Sequence, residues 1–170
     1  MANGVAETRT PIGSRTRTKR VVAALASIVA VDQLTKAWAV SALADGPKHL
    51  IGDTLVFDVS RNSGSAFSRF QGYTPVLAVL AIVIASFVAR AVRQATDTWT
   101  LVGLVLVLGG ALGNLADRLA RSPGFLRGHV VDFVAVGWWP VFNVADSCIT
   151  IGAVLLIVRT LFAPTPAPEA

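Results

Sequence analysis

The sequence predicts an all-α membrane protein with four transmembrane helices and a small extracytoplasmic β element. Of its 170 residues, 54% are hydrophobic and only 15% are charged, whereas ordinary soluble domains carry about 25% charged residues. Such a chain cannot cover a soluble surface without large apolar patches, and it has too much apolar surface to stay disordered. Cys148 is the only cysteine, so an internal disulfide is excluded, and with it a disulfide-stapled secreted scaffold.

The positions of the charged residues set the limits of the spans. A helix needs about 20 residues to cross the hydrocarbon core of a bilayer. Residues 70–89 and 98–116 carry no charge, whereas the first apolar region is interrupted by Asp32 and Lys36 and the last by Asp146. We therefore predict one membrane domain over residues 19–162, with spans at about 21–44, 70–89, 98–118 and 141–160.

The remaining segments are short. We expect residues 1–18 and the Pro-rich tail at 163–170 to be disordered, and residues 45–69 and 119–140 to form outer segments. The run TLVFDV at 54–59 favours a short β element, and the second outer segment contains residues that suit an interfacial belt: Phe133, Val134, Trp138 and Trp139. A removable signal peptide is the other interpretation of residues 1–44, but that apolar region is too long for one.

Basic residues predict the orientation. Five of the 15 Lys and Arg residues lie among the first twenty positions: Arg9, Arg15, Arg17, Lys19 and Arg20. With both termini inside, eight Lys and Arg residues are cytoplasmic and six are outside. This distribution predicts a multi-pass protein with both termini in the cytoplasm. A basic cluster before an apolar helix also favours contact with membrane lipid over nucleic acid.

Several ionisable residues fall inside or beside the predicted spans, where they are candidates for function. Asp32 and Lys36 are four residues apart, so they share a helix face and predict a structural ion pair. Asp117 and Arg118 are interpreted as a second ion pair, braced by Asn114. A Ser–Lys protease dyad on Lys36 is disfavoured, because pairing with Asp32 would keep the amine charged.

Asp132 and Asp146 are the candidates for catalysis. Neither has a Lys or Arg within four residues in the sequence, and both lie in apolar surroundings near the start of the last span. Two such carboxylates brought together would share a proton, one acting as base on water and the other as acid. The alternative is that each is a helix cap or a structural acid. With only His49 and His129, the chain lacks a zinc-protease ligand set, and no metal or cofactor is expected.

Five short motifs occur in a recognisable order, and with four spans they make the chain resemble the signal peptidase II family of bacterial membrane aspartic proteases. The motifs are DQLTK at 32–36, NSGSAF at 62–67, GNLADR at 113–118, VVDF at 130–133 and FNVADS at 142–147. The resemblance covers roughly residues 20–160. Two features depart from the family pattern: Ser65 stands where an alanine is usual, and the segment from Arg118 to Asp132 is several residues longer than common.

The resemblance implies an endopeptidase that removes the signal peptide of a diacylglyceryl-modified prolipoprotein, cleaving before the lipid-modified cysteine. It also implies a β-cradle from residues 45–69. We expect a monomer in the bacterial cytoplasmic membrane, with its active site at the outer face. Asp132 and Asp146 become the catalytic dyad. Residues that bind substrate or support the site are then Asn62, Gly64, Asn114, Arg118 and Asn143.

Two other classes of protein stay open from the residues alone. Paired intramembrane carboxylates also mark proton paths, so a proton-coupled transporter or relay is the alternative function. A glycine-lined third helix would equally suit a non-catalytic assembly protein.

Overall fold

The computed structural model of the chain describes residues 12–64 and 74–162. These residues form, in chain order, α1 (Ile12–Ala42), β1 (Lys48–Ile51), β2 (Leu55–Asn62), α2 (Thr74–Gln94), α3 (Thr98–Ala120), β3 (Val130–Val136), β4 (Trp139–Phe142) and α4 (Val144–Leu161). All four helices are long and apolar enough to cross a membrane. The predicted four-helix membrane protein with a small sheet is therefore confirmed.

The first helix is longer than predicted. It begins at Ile12, so the prediction of disorder through residue 18 is wrong for residues 12–18. The cause is a tertiary contact: the Arg17 guanidinium donates hydrogen bonds to the carbonyls of Val92, at 3.1 Å, and Ala95, at 2.6 Å. These bonds satisfy carbonyl groups at the end of α2 that have no partner within the helix.

Other predicted boundaries differ by a few residues or fall outside the described chain. The second span was predicted to start at residue 70, within residues 65–73, which lie outside the described residues, as do residues 1–11 and the tail at 163–170. Helix α2 continues past Arg90 to Gln94, and α4 begins at Val144 rather than 141.

The two segments predicted to lie outside the membrane, residues 45–69 and 119–140, contain more strand than the predicted short element. An antiparallel sheet of four strands has the order β1-β2-β3-β4, and β3 lies in the segment predicted only as an interfacial belt. Strand β2 pairs with β3 so that Ser60 lies opposite Asp132. Trp138 and Trp139 follow β3 at the hairpin with β4 and are both exposed. The sheet thus joins the two segments into one unit at one end of the bundle.

Glycines on α3 allow the helices to approach closely. A Cβ atom built on Gly109 would lie 2.8 Å from Ile28 of α1, and one on Gly113 would lie 2.7 Å from the Asp32 carboxylate. Gly110, on the adjacent face, meets the backbone carbonyl of Ala145 in α4. Gly109 and Gly113 therefore form a close-packing face, and these contacts bring α1, α3 and α4 together around the polar residues.

The long segment after Arg118 is folded back on itself. The Gly128 amide donates to the Arg118 carbonyl at 3.1 Å, and the His129 amide donates to the Ser122 carbonyl at 3.1 Å. Phe125, near the tip of this loop, is 74% exposed. The additional residues therefore close into a loop that returns the chain directly to β3.

Candidate active site

The start of α4 places the first of the two candidate acids. Asn143 is the N-cap of α4, and its side-chain oxygen accepts a hydrogen bond from the Asp146 amide at 2.9 Å. The Asp146 carboxylate returns a contact, accepting from the Asn143 amide at 3.2 Å. This reciprocal pair is a capping box, which holds the first turn of the helix and fixes one carboxylate oxygen of Asp146. The other oxygen accepts from Asn114 Nδ2 at 2.7 Å.

The second candidate acid comes from the sheet. Asp132 lies on β3 and is 3% exposed. Its Oδ1 accepts a hydrogen bond from Asn143 Nδ2 at 2.6 Å, and its Oδ2 accepts one from Asn62 Nδ2 at 3.0 Å. Asn62 is the diagonal cross-strand neighbour of Asp132, two residues beyond its partner Ser60, so the antiparallel register explains the contact.

Asn143 connects the two carboxylates. Its side-chain amide donates to Asp132 and its backbone amide donates to Asp146. The side chain is fully buried, so its geometry is set by these partners and by the capping box. The two carboxylates, 14 positions apart in sequence, thus lie on either side of one asparagine.

The environment of Asp132 favours its protonated form. Burial raises the pKa of the Asp132 carboxyl from 3.8 to about 6, and the negative charge of Asp146 acts in the same direction. The hydrogen bonds from Asn62 and Asn143 oppose this change, because they stabilise the ionised carboxylate. A pair of acids of which one keeps its proton to a higher pH than an ordinary carboxyl is the arrangement required for acid–base work on water.

A buried ionic cluster lies directly beneath this pair. The Lys36 ammonium is 2.8 Å from Asp32 Oδ2 and 2.9 Å from Asp117 Oδ2, and all three side chains are fully buried. The predicted Asp32–Lys36 pair is confirmed. Lys36 Nζ contacts Asp32, Asp117 and Asn114 Oδ1, three acceptors that use its three N–H donors, which disfavours a Ser–Lys dyad at this site.

The predicted partner of Asp117 is wrong. Asp117 pairs with Lys36 and, at 2.6 Å, with Arg121 one helical turn away, rather than with its neighbour Arg118. It also accepts from the backbone amide of Val131, which ties α3 to β3 beside Asp132. Adjacent helical residues point in different directions, whereas residues four apart share a face, so the i, i+4 spacing was the correct signal.

The cluster also orients an amide in the site. Asn114 Oδ1 accepts hydrogen bonds from Lys36 Nζ at 2.9 Å and from Asn143 Nδ2 at 3.2 Å. Because the Asn114 oxygen faces two donors, the Nδ2 of the same amide is directed at Asp146. The buried cation therefore decides which end of the Asn114 amide meets the carboxylate.

Arg118 and Gly64 meet at the edge of the site. Arg118 Nη1 is buried and has no hydrogen-bond partner among the described residues. A Cβ atom built on Gly64 would lie 3.4 Å from both terminal nitrogens of this guanidinium. Gly64 has φ +90°, which favours glycine, and its amide donates to Asn62 Oδ1 at 2.7 Å.

Within residues 12–64 and 74–162, no three His, Cys, Asp or Glu side chains form a group that could hold a metal ion.

The structure thus brings together every residue named from the sequence for the site: Asp132, Asp146, Asn62, Gly64, Asn114, Arg118 and Asn143. Sequence reasoning missed Arg121 and the link that Asn143 makes between the carboxylates. Asn143 followed three residues later by an acid was a sequence signal for a capped helix start.

Comparison with known proteins assigns the family. The family described as Signal peptidase (SPase) II matches residues 24–162. The chain belongs to the signal peptidase II family. The lipoprotein signal peptidase of Mycobacterium avium (strain 104) is 48% identical over 147 residues, which cover 86% of this chain and 81% of that protein. The lipoprotein signal peptidase of Rhodococcus jostii (strain RHA1) is 51% identical over 140 residues, covering 82% of this chain and 71% of that protein.

A solved structure supports the same fold. A bacterial membrane enzyme determined by the in meso method at 2.3 Å resolution matches with a TM-score of 0.74 and 25% identity, covering 89% of this chain and 95% of that one. The resemblance to signal peptidase II and the prediction of a peptidase are confirmed, and the alternative of a transporter finds no support. Family and apolar helices together indicate a membrane protein of the bacterial inner membrane.

Proposed function

We propose that this signal peptidase II is an aspartic endopeptidase in which Asp132 and Asp146 form the catalytic dyad, and that it removes signal peptides from prolipoproteins. The observation that carries the proposal is the link through Asn143, which holds both carboxylates by hydrogen bonds of 2.6 Å and 3.2 Å. Burial favours the protonated form of Asp132, and Asp146 lies in the first turn of α4 on the other side of Asn143.

The chemistry then divides between the two acids. Asp146 takes a proton from water, the water oxygen attacks the scissile carbonyl carbon, and Asp132 gives its proton to the carbonyl oxygen. In the second half, Asp146 gives the proton to the leaving nitrogen as the C–N bond breaks. Asp132 recovers its proton from the collapsing diol, so both acids return to their starting state.

Three neighbouring groups suit substrate binding. The unpaired N–H group of Arg118 can donate to a peptide carbonyl, and Gly64 lets a peptide backbone approach because it has no side chain. Asn62 holds both the turn before Gly64 and the Asp132 carboxylate. A peptide bound along this edge is thereby brought next to the dyad.

We also propose that both termini are cytoplasmic, that the dyad lies at the outer face, and that the enzyme acts as a monomer. Basic residues gather at the ends of α1, α2 and α4 opposite the dyad, which is the distribution expected of cytoplasmic helix ends. All the site residues named above lie within one chain, which supports a monomer.

Cysteine labelling tests the orientation. In a Cys148→Ser background, an impermeant thiol reagent added outside cells should label Gly124→Cys, in the loop near the dyad, but not Thr96→Cys at the opposite end. The reverse pattern would contradict the orientation.

Substrate identity is tested with purified full-length enzyme and two synthetic precursors of the same sequence, one carrying a diacylglyceryl group on its cysteine and one unmodified. The expected result is cleavage of the modified precursor directly before the cysteine, read from the product masses. Equal cleavage of the unmodified precursor, or cleavage at another bond, would contradict the proposed substrate class.

A further inference from the structure

A second cleft lies at the end of the bundle opposite the dyad. It has a volume of about 560 Å³ and is formed mainly between α1 and α2. Arg17 and Arg93 contribute its charged groups, and much of the rest of its wall is apolar: Val21, Val22, Leu25 and Leu108. Arg17 is 19 residues from Lys36 on the same helix, so this cleft and the active site are separated by about 28 Å at 1.5 Å per residue.

The polarity of the cleft changes along the helix axis. Arg17 precedes Leu25 by eight residues on α1, a rise of about 12 Å. The cations therefore lie near the helix ends, while the apolar wall extends toward the middle of the bundle. This order of charge and then hydrocarbon matches a phospholipid, whose charged headgroup lies outside its acyl chains.

Arg17 is held in place at the cleft. Its Nη2 donates to two carbonyls at the end of α2, at 3.1 Å and 2.6 Å. A guanidinium carries five N–H donors, so Arg17 keeps donors for an anion while these bonds fix its position. A fixed guanidinium loses little side-chain freedom when it binds a phosphate.

The two cations of the cleft have no acidic partner in the part of the chain that the structure describes. Among residues 12–64 and 74–162, neither Arg17 nor Arg93 takes part in an ion pair. The carboxylate of Asp97, four residues after Arg93, already binds Arg159 at 3.2 Å and caps α3. Two cations lining one cleft repel each other, and an anion between them would relieve that repulsion.

We propose that this cleft binds an anionic phospholipid of the surrounding leaflet, with its phosphate between Arg17 and Arg93 and an acyl chain along Val22 and Leu25. On the orientation proposed above, the leaflet is the cytoplasmic one. The site is separate from the dyad and from the peptide edge at Arg118. Its occupant is lipid, since the apolar wall gives a free phosphate no contact.

The test measures lipid binding to the full-length protein in detergent by native mass spectrometry, with phosphatidylglycerol and phosphatidylcholine of the same acyl chains. We expect phosphatidylglycerol to bind more tightly. Arg93→Gln should lower its affinity about five-fold, since one cation near the membrane surface contributes about 1 kcal/mol toward an anionic lipid. In the described part of the chain, Arg93 donates none of the hydrogen bonds that join α1 to α2, so this variant should keep its fold.

Two further variants separate a site from general attraction. Arg20→Gln removes an exposed cation three residues from Arg17, outside the cleft lining, and should leave the affinity unchanged. Val22→Trp keeps every cation but fills the groove, and it should weaken phosphatidylglycerol binding. Equal losses for Arg20→Gln and Arg93→Gln would overturn the proposal, because bulk positive charge would explain both. Equal binding of the two lipids, or displacement of phosphatidylglycerol by inorganic phosphate alone, would also overturn it.

Discussion

Replacing Asn62 should move the pH dependence of the enzyme in a defined direction. The Asn62 amide donates to Asp132 at 3.0 Å and stabilises its ionised form, so removing this donor must raise the pKa of Asp132 above about 6. A hydrogen bond to a charged group contributes about 1.5–3 kcal/mol, and one pKa unit corresponds to about 1.36 kcal/mol. Because Asn62 is itself exposed, the lower value applies, and Asn62→Ala should raise this pKa by about 1.

The assay is the pH profile of kcat/KM for cleavage of a lipid-modified precursor, which reports the free enzyme. If the working dyad holds one proton, the alkaline limb marks its loss, and Asn62→Ala should shift that limb up by about one pH unit. Asn62→Asp keeps the acceptor for the Gly64 amide but adds a negative charge beside Asp132, so it should shift the limb further. Ser60→Ala, on the same strand, is the control and should leave the limb unchanged. An alkaline limb that stays in place or moves down in both Asn62 variants would refute the reasoning.

Three further outcomes follow from the same structure. Gly110→Ala should lower stability by about 1–3 kcal/mol, seen as a lower thermal midpoint in detergent, because its new methyl group would overlap the Ala145 carbonyl. Asp132 has a raised pKa, so the wild type binds more protons folded than unfolded between pH 4 and 6. The free energy of unfolding of the wild type, compared with that of Asp132→Asn, should therefore fall by up to about 3 kcal/mol as the pH rises through that window. A difference that stays constant would contradict the assigned pKa. A metal chelator should not change the cleavage rate, and zinc-restored activity after chelation would move the chemistry out of the aspartic class.

The spans and the two acids were predictable because their signals are local. A run of about 20 residues without charge reports a membrane span directly from the sequence. Asp132 and Asp146 stood out because each lies in an apolar stretch and lacks a neighbouring Lys or Arg. An unpaired acid in such surroundings costs stability, which makes it a candidate for function. Both observations use only residues a few positions apart.

The features that sequence reasoning missed depend on distant parts of the chain. The run VVDFVAV at 130–136 is rich in strand-forming residues, yet its partner strand β2 lies about 70 residues earlier. The local pattern alone therefore predicted an interfacial belt instead of a strand in a sheet. Lys36 meets Asp117 across 81 residues, and the helical extension to Ile12 depends on Arg17 reaching the end of α2. Such contacts follow from how the helices pack against each other.

The most direct test of the account is the cleavage rate of Asp132→Asn and Asp146→Asn on the lipid-modified precursor. Asn cannot exchange the catalytic proton, so each variant should lose at least about 100-fold in rate while keeping a cooperative thermal transition in detergent. Asp58→Asn, an exposed acid on β2, is the matched control and should cleave like the wild type. Near-normal cleavage by either dyad variant in folded form would contradict the assignment of Asp132 and Asp146 as the catalytic pair.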